Sequence, residues 1–108
     1  MALTDKKCVP CEGGVPPLKG QEIQGYLSQL TGEWEVADGK SIRRQFKFKD
    51  FKEALDFINK VGGIAEEEGH HPDMNLHGYN RVDVELSTHA IKGLSENDFI
   101  LAAKIEKL

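Results

Sequence analysis

The chain has 108 residues, 39% of them hydrophobic and 30% charged, with a formal net charge of −4. Such a composition suits one soluble domain with a modest core and excludes disorder as the default; the acidic balance excludes a broad nucleic-acid footprint, which needs a basic excess. No apolar run approaches the roughly 20 residues that span a bilayer, and Met1-Ala-Leu-Thr-Asp-Lys-Lys lacks a signal-peptide core, so a cytoplasmic protein without membrane or nucleic-acid partners is expected.

Residues 1–19 read as an N-terminal arm, polar at first and then turn-rich, ahead of a single domain over 20–108. Cys8 and Cys11 form one Cys-x-x-Cys. A structural zinc site wants four ligands, and there is no second cysteine pair to complete one. A thioredoxin-like motif would sit between a strand and a helix, whereas Val9, Pro10, Gly13 and Gly14 read as loop. The cysteines are therefore expected to be exposed or loosely packed, with a metal shared between subunits as the other option.

Ile23, Leu27 and Leu30, with Tyr26 on the same side, predict a helix over 20–31, stopped by Gly32. Trp34 and Val36 alternate with Glu33 and Glu35 as a short strand, and Asp38-Gly39 is a tight-turn signal. The next strand carries Ile42, Arg44, Phe46 and Phe48 on one face, with only Arg44 interrupting the apolar side. Asp50 and Glu53 resemble a capping box. Phe51, Ala54, Leu55, Ile58, Val61 and Ala65 then predict an amphipathic helix over 51–68 that ends at Gly69. Gly62-Gly63 inside it costs about 1 kcal/mol per residue relative to alanine, which suggests a close backbone approach or a bend there.

Beyond Pro72 the period becomes two. Met74 and Leu76, then Val82, Val84 and Leu86, give a second hairpin around Gly78-Tyr79-Asn80; its strand is read as ending at Ser87-Thr88-His89. Ser95 caps a last helix whose buried side is Phe99, Ile100, Ala102, Ala103 and Ile105. The order α-β-β-α-β-β-α predicts an α+β two-layer domain: a four-stranded antiparallel sheet with helices on one face.

The chemistry concentrates in Glu66-Glu67-Glu68-Gly69-His70-His71-Pro72-Asp73 and in Thr88-His89. Imidazole is the side chain suited to proton transfer near neutral pH, and this topology brings the two histidine segments to one end of the sheet. Glu66, at i to i+4 from His70, is expected to orient that ring, whereas Glu67 and Glu68 read as a solvated face. A three-histidine zinc site is the rival, but adjacent rings lack the spacing of His-Glu-x-x-His, so no metal is expected. His77 reads as an exposed side chain on the polar face of its strand. Asp98, three residues after Ser95, reads as a cap by spacing alone.

Glu66-x3-His70-His71-Pro72, followed by Tyr79, His89 and Asp98 at their intervals, resembles the signature of the pterin-4a-carbinolamine dehydratases. Phe48-Lys49-Asp50-Phe51-x2-Ala54-Leu55-x-Phe57 and Leu86-Ser87-Thr88-His89-x3-Gly93-Leu94-Ser95 resemble the same family, across roughly residues 20–108. The Cys-x-x-Cys arm is similar to that of many bacterial members. The resemblance implies dehydration of 4a-hydroxytetrahydropterin to quinonoid dihydropterin, in recycling of the pterin used by aromatic amino acid hydroxylases, with no cofactor. It implies His70, His71 and His89 as catalytic, with His70 and His89 as acid and base and His71 chiefly positioning the substrate. Asp98 and Glu66 would support them, and Asp73 and Thr88 would join His71 in binding the pterin. A homodimer or homotetramer is also implied, with Gly62-Gly63 as one candidate contact. This chain has Met74 where some members carry tryptophan, and the spacing from Pro72 to Tyr79 is the longer of two family forms, which suggests a bulge. Two other readings are a non-catalytic interaction module, as in the transcriptional role of animal members, and an enzyme of molybdopterin or folate metabolism.

Overall fold

Asp38 and Gly39 both take left-handed backbone, φ 54° and 69°, the conformation of a type I′ hairpin turn. They join β1 (Glu35–Ala37) to β2 (Ser41–Lys47) in a computed structural model of the chain that describes residues 3–8 and 16–108. A second hairpin, β3 (Asp73–His77) and β4 (Arg81–Leu86), turns at Gly78 and Tyr79, again both left-handed. β4 pairs with β2, so the sheet is antiparallel throughout with order β1-β2-β4-β3. The register of β3 on β4 is continuous from Asp73 opposite Glu85 to His77 opposite Arg81, so the expected bulge is absent.

One sheet face is apolar: Ile42, Val82, Val84 and Leu86 are fully buried, while their strand neighbours Arg43, Asp83 and Glu85 face the open side. The helices α1 (Gly20–Leu27), α2 (Phe51–Glu68) and α3 (Glu96–Glu106) cover the apolar face, giving the two-layer α+β domain expected. α3 is buried almost all round, Leu101 included, as suits a helix packed against α1, α2 and the sheet together.

Local chemistry sets the helix limits. The Asp50 carboxylate accepts from the Glu53 amide at 2.9 Å, an N-cap worth about 1 kcal/mol. Gly69 adopts φ 66°, and the His70 amide reaches back to the Ala65 carbonyl at 3.2 Å, which closes α2 and sets the direction in which the histidines leave. The buried stripe of α2 is Ala54, Phe57, Val61 and Ala65; Phe51 and Leu55, expected inside, are exposed. A Cβ on Gly62 or Gly63 would meet no atom of the described residues within 4 Å, so close packing within this chain does not explain the pair.

α1 ends at Leu27, before Gly32, and the chain continues in tighter turns with Gln29 and Leu30 amides on the Tyr26 and Leu27 carbonyls. Gly32 has another reason to be glycine. A Cβ there would lie 1.9 Å from Arg44 Nη1 and 2.6 Å from Glu106 Oε2. The Glu106 carboxylate, 7% exposed, accepts from the Thr31 amide and hydroxyl, the Gly32 amide and Trp34 Nε1, with Arg44 Nη1 at 3.5 Å. Arg44, which broke the apolar face of β2, therefore pairs with Glu106 and rests over the Phe46 ring.

The arm is not loose where it is described. A 3-10 turn, Leu3–Asp5, buries Leu3 against α3. Lys6 Nζ lies 2.7 Å from Glu96, and Cys8 is half-buried, its thiol 3.6 Å from the Asn97 carbonyl. Burial first, then the nearby Glu68 charge, pushes the Cys8 thiol up to about 12, so it is protonated near neutral pH and not a reactive thiolate. Cys11 and the turn-rich residues 9–15 lie outside the described residues.

Candidate active site

Asp98 is the centre of the site. Its side chain is 0% exposed, in the first turn of α3, and among the described residues it is met by donors. Oδ2 accepts from the Ser95 amide at 3.0 Å and from the Thr88 hydroxyl at 2.9 Å; Oδ1 faces His70 Nε2 at 2.6 Å. The Ser95 hydroxyl lies 2.8 Å from Thr88 Oγ1, so Ser95 can donate while Thr88 donates onward to Asp98. The same carboxylate thus caps α3, as its spacing from Ser95 predicts, and faces the His70 ring with its other oxygen.

With Asp98 as acceptor, His70 Nε2 carries the proton. Nδ1 is then the nitrogen left to exchange protons. The His70 side chain is 11% exposed, so the ring is held in a largely dry wall with a narrow opening to solvent. A carboxylate behind an imidazole fixes its tautomer and orientation and stabilises its protonated form, the arrangement used by proton-transferring histidines elsewhere.

His89 follows Thr88 directly, so its Cα stands about 3.8 Å from that of a residue bonded to Asp98. β4 ends at Leu86, and His89 opens a 3-10 turn, His89–Ile91, instead of closing the strand. The turn is the crest of a loop pinned at its base, where Thr88 and Gly93 exchange backbone hydrogen bonds at 2.8 and 3.4 Å. A Cβ on Gly93 would lie 2.6 Å from Pro17 Cβ, and the Leu18 amide bonds the Leu94 carbonyl. The His89 ring is exposed and makes no hydrogen bond among the described residues. It is free to meet a ligand.

The other expected site residues are placed differently. Glu66 does not reach His70; its Oε1 lies 2.8 Å from His71 Nε2, on an exposed surface. The residue leaving the left-handed Gly69 turns inward, and the next one turns back over α2. His71 then lines a shallow recess of about 440 Å³ with Ile58, Gly62, Pro72 and Met74. Asp73 points to the open sheet face, where it borders a broad hollow of about 820 Å³ with Glu85 and Arg43. Thr88 is buried with its hydroxyl committed to Asp98 and Ser95, so it supports the wall of the site. Among the described residues no three His, Cys, Asp or Glu side chains converge as metal ligands would.

His77 is not a bare surface residue. Its Nε2 lies 3.0 Å from Asp83, and Gln45 donates to Asp83 at 3.0 Å; these contacts, Gln45 foremost, hold the Asp83 carboxyl below its ordinary range. Tyr79 is exposed in the β3–β4 turn. That turn lies at the opposite end of β3 from His70, so the spacing out to Tyr79 reflects hairpin geometry, not the site.

The sequence pattern described as pterin 4 alpha carbinolamine dehydratase matches residues 16–108. The chain belongs to that family. A protein of Rubrobacter xylanophilus is 53% identical over 106 residues, covering 98% of this chain and 97% of its own. One of Alkaliphilus metalliredigens is 53% identical over 105 residues, covering 97% and 94%. Both are named provisionally as pterin-4-alpha-carbinolamine dehydratases. The crystal structure of a transcriptional coactivator/pterin dehydratase from Brucella melitensis matches with TM-score 0.77 at 40% identity, over 84% of this chain and 96% of that one. A pterin dehydratase-like protein, identified as a RuBisCO assembly factor in the alpha-carboxysome, shares the fold with TM-score 0.60 at 20% identity, over 71% of this chain and 89% of that one. No helix among the described residues is long and apolar enough to cross a membrane.

Proposed function

We propose that this protein dehydrates 4a-hydroxytetrahydropterin to quinonoid dihydropterin plus water, with His70 and His89 as the proton-transfer pair. The C4a–O bond breaks, a ring N–H gives up its proton to the base, and the leaving oxygen takes a proton from the acid. Protons are the only species that the protein must move, and no cofactor is required. The observation that carries the reading is the Asp98 hub. It fixes one imidazole with Nδ1 left for exchange and also holds the threonine that carries the second. Positioned acid–base groups of this kind contribute about 10²- to 10⁴-fold each.

His71, paired with exposed Glu66, orients the substrate at the rim, and Asp73 contributes at the neighbouring strand start. The role in the cell is recycling of a reduced pterin cofactor, in the cytoplasm. Two copies or four are expected to assemble; the exposed apolar residues Phe51 and Leu55 on α2 favour association. A second reading keeps the fold as an interaction module, and the coactivator and assembly-factor descriptions of the two matched structures favour it. Under that reading the buried Asp98–His70 pair has no chemical purpose.

Adding purified protein to freshly generated 4a-hydroxytetrahydropterin separates the two. Loss of the carbinolamine absorbance is expected to accelerate in proportion to enzyme concentration. A rate equal to the spontaneous dehydration would transfer the assignment to the interaction module.

A further inference from the structure

Glu68 is a buried carboxylate outside the proton-transfer site, and both its oxygens are occupied. Its side chain is 5% exposed, against the solvated position expected from the acidic run. Oε1 accepts from the Cys8 amide at 2.8 Å, and Oε2 meets the Lys104 ammonium at 2.9 Å. Lys104 first, then the Cys8 amide, hold the carboxyl below its ordinary range, so it is ionised near neutral pH.

These contacts join the segments that build the site. Glu68 is the last residue of α2, and Gly69 alone separates it from His70. Lys104 stands on the helix that carries Asp98, roughly 9 Å further along its axis. The end of α2 is thus tied to α3 twice, through Glu68–Lys104 and through His70–Asp98. The arm closes the third side. It meets Glu68 through the Cys8 amide and grips Glu96 and Asn97, the residues directly before Asp98, through Lys6 and the Cys8 thiol.

The junction needs this help. Gly69 is left-handed and its absent side chain would meet nothing within 4 Å, so packing at Gly69 does not aim the residue that follows. A buried ion pair is also a poor source of stability compared with apolar residues of the same volume; its attested use is to fix one arrangement over others.

We infer that Glu68 is a positioning residue: through Lys104 and the arm it sets the end of α2 against α3 so that the His70 ring meets Asp98. The inference rests on the proton-transfer role proposed for His70, but it has a readout of its own. Nitrogen-15 NMR of the His70 ring reports which nitrogen holds the proton. The wild-type protein is expected to show the Nε2–H tautomer, as contact with Asp98 requires. Glu68→Ala is expected to give a mixture of tautomers and to lower kcat by roughly ten- to a hundredfold, the scale of a misplaced catalytic group, with little change in KM. Glu68→Gln keeps an acceptor for the Cys8 amide and is expected to fall between the two; it carries the test if the alanine variant does not fold. Ile105→Val, a core truncation on the same helix, controls for lost stability and is expected to leave the tautomer unchanged. An unaltered His70 tautomer in both folded Glu68 variants would overturn the inference. A perturbed tautomer in a protein whose wild type turns over no carbinolamine would refute the dehydratase reading and leave the positioning role standing.

Discussion

Replacing His70 and His89 together by alanine is expected to reduce catalysed dehydration by a factor on the order of 10⁴ or more, to near the spontaneous rate. Each ring is assigned one of two concerted proton transfers, so either single variant alone should remove most of the acceleration, and the double variant should fall short of the product of the two. His89 is exposed and makes no hydrogen bond among the described residues, so its removal should leave stability unchanged within about 0.5 kcal/mol. His70→Ala differs, because it strips a partner from a buried carboxylate; His70→Gln, which can still donate an N–H to Asp98, separates the chemical from the structural loss. Progress curves on freshly formed carbinolamine, with thermal unfolding of each variant, check both parts. Retention of near wild-type turnover in a folded double variant would refute the pairing.

Glu106→Ala is expected to destabilise the fold by about 3–5 kcal/mol, a large share of the stability of a domain this size. The carboxylate neutralises Arg44 and satisfies two backbone amides, a threonine hydroxyl and the indole N–H of buried Trp34. Truncation orphans all of these donors while the Gly32 backbone remains in place. Glu106→Gln keeps a carbonyl acceptor and should cost roughly half as much. Urea unfolding monitored by Trp34 fluorescence reads both values, since that ring sits in the network. A loss below about 1 kcal/mol for the alanine variant would mean that water replaces the carboxylate at this site.

The fold was legible where periodicity and turn chemistry agree. Asp38-Gly39, Gly69, the span 51–68 and both hairpins follow from local rules, and the structure places them as read. Long-range contacts account for the departures. Gly32 reads as a helix stop because glycine often is one, yet its neighbours Arg44 and Glu106 come from a strand and a helix distant in sequence. Phe51 and Leu55 share the helical period with the core stripe, and periodicity cannot say which of two adjacent apolar stripes faces inward; Phe57 marks the true one. The acidic run 66–68 shows the same limit. Three consecutive glutamates point in three directions on a helix: Glu66 meets His71, Glu67 faces solvent and Glu68 is buried on Lys104.

The candidate site was legible as residue types and illegible as pairings. Spacing links Glu66 to His70 at one helical turn, but the left-handed Gly69 breaks the helical path, so that pairing shifts by one residue to His71. Ser95 and Asp98 display a cap in the sequence, and only the fold reveals that the other oxygen of the same carboxylate faces His70. Glu68 had no signal of its own beyond its place just before the histidines, and the Lys104 and Cys8 groups that bury it lie at the two ends of the chain.

The most direct test of acid–base dehydration by two imidazoles is the pH dependence of kcat/KM, after subtraction of the uncatalysed rate. Catalysis by an imidazole pair predicts a bell-shaped profile, falling at low pH as the base gains its proton and at high pH as the acid loses one. A profile that is flat across the range where imidazoles titrate would contradict it.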